Sequence, residues 1–132
     1  MMISYQDLAE NSAAFNSEHF VSMRSTSGKY EPDNAVALRL EGKRIYSASK
    51  LDDILSAVGA QLPLVSLTGI NGQPQILAAR RVINVQQPTD NHHPQAGSIV
   101  SMLVLGAADL ELQIHENVEQ ATDLIDRAVR DY

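Results

Sequence analysis

The stretch AVALRLEGKRIYSASKLDDILSAVG, residues 35–59, decides the fold class. Val36, Leu38 and Leu40 alternate with Ala35, Ala37 and Arg39, the period of a half-buried strand. Glu41-Gly42-Lys43 supplies a turn, with Gly42 free to take positive φ. Ile45 opens the return strand. The period then changes. Leu51, Ile54, Leu55 and Val58 fall at i, i+3, i+4 and i+7, one face of a helix. Ser49 is placed to cap that helix, with Asp52 at its third position and Asp53 suited to the positive end of its dipole. Gly59 is placed to close it in the left-handed conformation. Two antiparallel strands followed by a helix on 49–59 point to the α+β class.

Residues 98–130 echo this unit. SIVSMLVL reads as a buried strand, Gly106-Ala107-Ala108 as a turn, and DLELQIH as a strand with Leu110, Leu112 and Ile114 on one face. A helix over 117–130 follows, capped by Asn117 with Gln120 reaching back. Val118, Ala121, Ile125, Ala128, Val129 and Tyr132 form its stripe. Asp123 to Arg127 and Asp126 to Arg130 are i, i+4 pairs. Few identities join the two segments, so the echo reads as the ordinary way to cover a sheet face rather than as a duplication.

Elsewhere the pattern is less regular. Ser4, Asp7, Leu8 and Phe15 predict a helix over 3–15. EHFVSMRS alternates as a strand, and TSGKYEPDN is a loop. LPLVSLTGINGQPQ is a strand leading into an Asn71-Gly72 turn. In ILAARRVINV the alanines and arginines favour helix, while Val82, Ile83 and Val85 favour strand. A strand with a bend near Ala78-Ala79 is the preferred reading. The expected architecture is a single α+β domain over 1–132. It has a curved, mainly antiparallel sheet of about six or seven strands and helices at about 3–15, 49–59 and 117–130.

Composition narrows the chemistry. A chain of 132 residues with 44% hydrophobic and 5% aromatic residues builds an aliphatic core without staples. It contains no cysteine, which excludes disulfides and thiol catalysis. MMISYQDLAENS lacks the layout of a signal peptide, and the longest apolar run, Ile99 to Ala108, is too short for a membrane span. A cytoplasmic protein without membrane insertion is expected. The formal net charge of −6 and scattered basic residues disfavour nucleic acid as a partner.

Candidate sites are few. TDNHHPQAG, residues 89–97, offers Asp90, His92 and His93 as metal ligands, with a third ligand needed from His19 or His115. Adjacent histidines diverge in extended chain, and Pro94 holds His93 there. No usual ligand spacing is present, and the stretch reads better as a polar loop. There is no nucleophile elbow and no phosphate-binding glycine loop. The paired acids Asp52-Asp53 and Asp123/Asp126 suit helix surfaces better than a catalytic cleft. Arg80-Arg81 is expected on an edge strand, in solvent or against an anionic partner. No catalytic residue and no cofactor is expected.

Residues 64–130 resemble the small flagellar and swarming-motility proteins of the FlbD type. The matching positions are Leu67, Asn71, Gly72, Leu77, Val82, Val85, Asp90, Ile114, Glu116, Val118, Glu119 and Ile125. The Asn91–Gly97 loop is longer here, and residues 1–60 lack a counterpart. The resemblance implies an assembly or regulatory role rather than an enzyme.

A non-enzymatic protein-binding module is therefore expected, with homo-oligomers favoured because the last helix and the 99–105 strand carry surplus apolar surface. Arg80, Arg81, Ile125 and Val129 are the expected contact residues. The competing readings are a small metal-dependent enzyme or ligand-binding protein using Asp90, His92 and His93, and an acidic homodimer of the secretion-chaperone kind.

Overall fold

The N-terminal segment departs from its helical expectation at Asp7. Its carboxylate accepts the Ala9 and Asn11 amides, each at 2.9 Å, and so fastens a tight turn. Glu10 completes that turn at φ 64. Residues 3–15 are therefore a hairpin, β1 (Met2–Gln6) with β2 (Ser12–Asn16). Ile3 and Phe15 face one another inward, and Leu8 of the expected stripe is exposed.

The computed structural model describes residues 1–106 and 108–132, so the Ala107 part of the expected 106–108 turn lies outside the described residues. After β2 a 3-10 turn (Ser17–His19) leads into β3 (Phe20–Ser25), β4 (Val36–Leu40), β5 (Lys43–Ser47) and α1 (Leu51–Gly59). There follow β6 (Leu64–Thr68), β7 (Pro74–Ala78), a second 3-10 turn (Ala79–Arg81), β8 (Val82–Gln86), β9 (Ser98–Met102), β10 (Leu110–Ile114) and α2 (Val118–Arg130). The class is α+β with antiparallel pairing. In place of one sheet of six or seven strands, the described residues form three: β1-β2, β10-β9-β8 and β5-β4-β3-β7-β6.

The echo is a structural repeat, and it extends well beyond the two strands and helix read from sequence. Adding 62 to Met2, Ser12, Ser17, Phe20 and Val36 gives Leu64, Pro74, Ala79, Val82 and Ser98, the starts of the corresponding elements. After a longer turn the step is 67, from Lys43 to Leu110 and from Leu51 to Val118. Registers repeat as well. Phe20 faces Leu40 and, after a bulge, Ser22 faces Arg39. Val82 faces Met102 and, after the same bulge, Asn84 faces Ser101. The hairpin turns share their bonds: Asp7 N–H to Asn11 O and Glu10 N–H to Asp7 O answer Gly69 N–H to Gln73 O and Gly72 N–H to Gly69 O. Glu10 thus holds the left-handed position that glycine takes in the second half.

Helix starts confirm and correct the sequence reading. Asn117 and Gln120 form the expected capping box of α2. Asp123 pairs with Arg127 as expected, whereas Arg130 turns to Asp131 rather than Asp126. At α1 the N-cap is Lys50 without a side-chain bond, and Ser49 Oγ accepts the Gln6 amide at 2.9 Å. Its counterpart Glu116 accepts the Thr68 amide at 2.8 Å. In each half a side chain before the helix therefore ties the hairpin to the meander. Gly59 does not take the left-handed conformation, and the helix ends through Ala60 at φ −73.

Two cores result. Ile3, Phe15, Phe20, Leu38 and Ile54 anchor the first, and Leu67, Val100, Met102, Ile114 and Ala121 the second. The halves join through β3 and β7, where Ser22 faces Leu77 and Met23 faces Ile76. Because successive strand residues point to opposite sides, Ile76 and Ala78 enter the first core and Leu77 the second.

Candidate functional site

The most informative local feature is the bulge residue of each half. In β3 the extra residue is Val21, between Phe20 and Ser22. A bulge re-aims a side chain, and Val21 leaves its own core to pack in the second one, with no exposed surface. In β8 the extra residue is Ile83, between Val82 and Asn84. The same geometry holds a larger apolar side chain outward, 54% exposed.

The difference comes from what lies alongside. β3 is hydrogen-bonded on both flanks, by β4 and β7. β8 is hydrogen-bonded to β9 alone and, among the described residues, has no strand on its other flank. The hairpin that performs the covering in the first half is β6-β7 of the second half. Its counterpart, β1-β2, forms a sheet by itself. Ala14, the counterpart of the buried Ile76, is exposed. Among the described residues the counterparts of the paired β3 and β7 are thus both unpaired on that flank, β8 as an acceptor edge and β2 as a donor edge. Unpaired N–H and C=O groups make such edges templates for another strand.

Charged groups at the junction are already engaged. Arg81 pairs with Glu41 and donates to Glu18 O at 2.6 Å and, at 3.4 Å, to Leu103 O. It clamps the second half to the first, so the expected edge-strand role of Arg81 is corrected. Arg80 and Arg81 sit in a 3-10 turn, whose Ala79 start matches the expected bend. Arg80 is exposed and lies 6.0 Å from the Tyr132 ring. Ile125 is 9% exposed and belongs to the second core, with Val129 half-buried against it. Of the four expected contact residues only Arg80 is exposed. The 99–105 strand is likewise covered at Ile99, Val100, Met102 and Val104, while Leu103 and Leu105 remain outside.

The histidine loop is built from internal bonds and one tie to β10, the His93 amide donating to Gln113 Oε1 at 2.7 Å. His92 Nδ1 accepts the Thr89 amide at 2.8 Å, and His93 Nδ1 accepts the Gln95 amide at 3.1 Å. Asp90 and His93 are exposed, and His92 is half-buried. Among the described residues no three His, Asp or Glu side chains gather to hold a metal, so Asp90, His92 and His93 are not joined by His19 or His115. Arg24, Arg39 and Arg44 line a crevice of about 50 Å³ under β10, room for a water-sized group and little more. No helix among the described residues is long and apolar enough to cross a membrane.

Sequence reading missed Ile83, Asn84 and Val85 as a surface. The signal lay in comparing residues 20–25 with 82–86, which requires the step of 62 to be known. Comparison with family models, curated proteins and solved structures returned no match.

Proposed function

We propose that this chain is a non-enzymatic protein-binding module with an assembly or regulatory role, whose working surface is a sheet edge. The observation that carries this reading is the contrast between Val21, fully covered, and Ile83, 54% exposed at the equivalent bulge. A strand-sized surface is built, used once inside the molecule and left open once. Strand addition to such an edge takes its affinity from main-chain bonds and its selectivity from alternate side-chain positions. The resemblance of residues 64–130 to FlbD-type proteins points to the same class of role.

The test is affinity capture of native partners by the unmodified chain and by a Val85→Pro variant, which removes the N–H that the register turns outward on the β8 edge. A partner held in stoichiometric amount by the first and lost by the second supports the reading. Equal capture by both contradicts it. Elemental analysis with a zinc or nickel titration addresses the Asp90, His92 and His93 alternative. A stoichiometric ion lost on His92→Ala with His93→Ala favours that alternative instead.

A further inference from the structure

The edges left open are two halves of a contact that the molecule already makes. We propose that the occupant of the β8 edge is the β1-β2 hairpin of a second copy of this chain, added head to tail. This rests on the reading of the chain as a module that works through a sheet edge, and it names the partner.

The internal joint supplies the template. β7 of the second half lies antiparallel on β3 of the first, with Ser22 facing Leu77 and Met23 facing Ile76. Moving each residue to its counterpart gives Asn84 facing Phe15 and Val85 facing Ala14. The first pair member belongs to β8 and the other to β2 of the next chain. The added hairpin would convert the three-stranded sheet β10-β9-β8 into a five-stranded one, the arrangement β5-β4-β3-β7-β6 already shows. Ile83 would gain the cover that Val21 has.

The step is heterologous. β3 is covered by the half that follows it, while β8 and β2 stay open at opposite ends of the same operation. Repeating that operation uses β8 of one copy and β2 of the next, and it leaves a new β8 open each time. Such contacts close into a ring when the rotation permits and otherwise extend as a filament. A two-membered ring, with β8 of each copy on β2 of the other, is the smallest closed form of it.

The contact between copies is weaker than the internal one for two visible reasons. The Arg81–Glu41 clamp has His19 and Leu103 at the corresponding positions, so the ion pair is not repeated. Chain linkage also gives the internal joint a high effective concentration that separate copies lack. Assembly therefore grows with protein concentration.

The chain has no cysteine, which makes a crossed disulfide a clean readout. Ala14→Cys chains and Val85→Cys chains are oxidised separately and as an equal mixture. Directly opposed residues of an antiparallel pair come within reach of a disulfide. The expected result is a mixed A14C–V85C product as the main linked species, reduced to background when Ile83→Glu is added to the Val85→Cys chain. Light scattering of the unmodified chain over a concentration series does not depend on how any variant folds. It is expected to show species growing with concentration or closing at a fixed ring mass, a dimer being the smallest ring. A monomer at every concentration, or a dimer whose crossed cysteines do not link, overturns the proposal. If it is overturned while Val85→Pro still loses a native partner, the module reading stands with a different occupant. If capture is indifferent to Val85→Pro as well, both fall.

Discussion

At the scale of single residues, two positions show how closely the chain is fitted. Gly97 lies where the end of β10 passes. Its amide donates to Ile114 O at 2.7 Å, and a Cβ there would overlap His115 O and stand 2.7 Å from Glu116 O. Backbone cannot yield as a side-chain tip can. Gly97→Ala is expected to destabilise by roughly 1–3 kcal/mol, the usual cost of overpacking, measured by urea unfolding. Glu31 is held by Arg24 through two parallel bonds of 2.7 and 2.8 Å. That pairing, with the Ser27 amide and Tyr46 hydroxyl beside it, lowers its carboxyl from 4.5 to about 2. A lowered carboxylate stabilises the fold above its ordinary value and loses that contribution as pH falls from about 4.5 towards 2. Glu31→Gln should therefore lower the unfolding midpoint at pH 7. The gap from the unmodified chain should narrow steadily between pH 4.5 and pH 2 in a thermal melt series.

At the scale of elements, equivalent strands are expected to respond unequally to the same change. Val21→Ala removes methyl groups packed in the second core and should cost about 1–3 kcal/mol. Ile83→Ala removes more atoms from the same bulge position, but from the surface. It should cost within about 0.5 kcal/mol in the dilute chain. Paired unfolding curves check both, and a large cost for Ile83→Ala would mean that β8 is not an open edge. Elements also show what could be read in advance. The strands and helices read in residues 36–59 and 98–130 carried strong periodicity, and they folded as read to within a few residues, although the expected α1 caps at Ser49 and Gly59 did not form. Residues 3–15 did not, because their turn has no glycine. Glu10 takes the left-handed position, and the Asp7 carboxylate that mimicked a helix cap closes a hairpin turn instead. Alanines 13 and 14 added helix propensity to a strand.

At the scale of the whole molecule, the repeat was hidden because side-chain identities changed while backbone bonds did not. Ser4 and Ser66 match, but most equivalent pairs differ, as with Phe15 and Leu77 or Glu10 and Gly72. The candidate site was harder still. Openness of β8 depends on which hairpin covers which strand, and no local pattern encodes that. The Arg80-Arg81 pair and the histidines drew notice by residue type, whereas Ile83 looks in sequence like an ordinary strand residue.

The central claim is that β3 and β8 are equivalent strands, one covered and one open. Hydrogen exchange resolved to single amides tests it most directly, at low and at high protein concentration. The outward amide of Val85 should exchange much faster than that of its counterpart Met23 in the dilute chain, and should slow as concentration rises. Protection of β8 equal to that of β3 in a dilute sample shown to be monomeric would contradict the account.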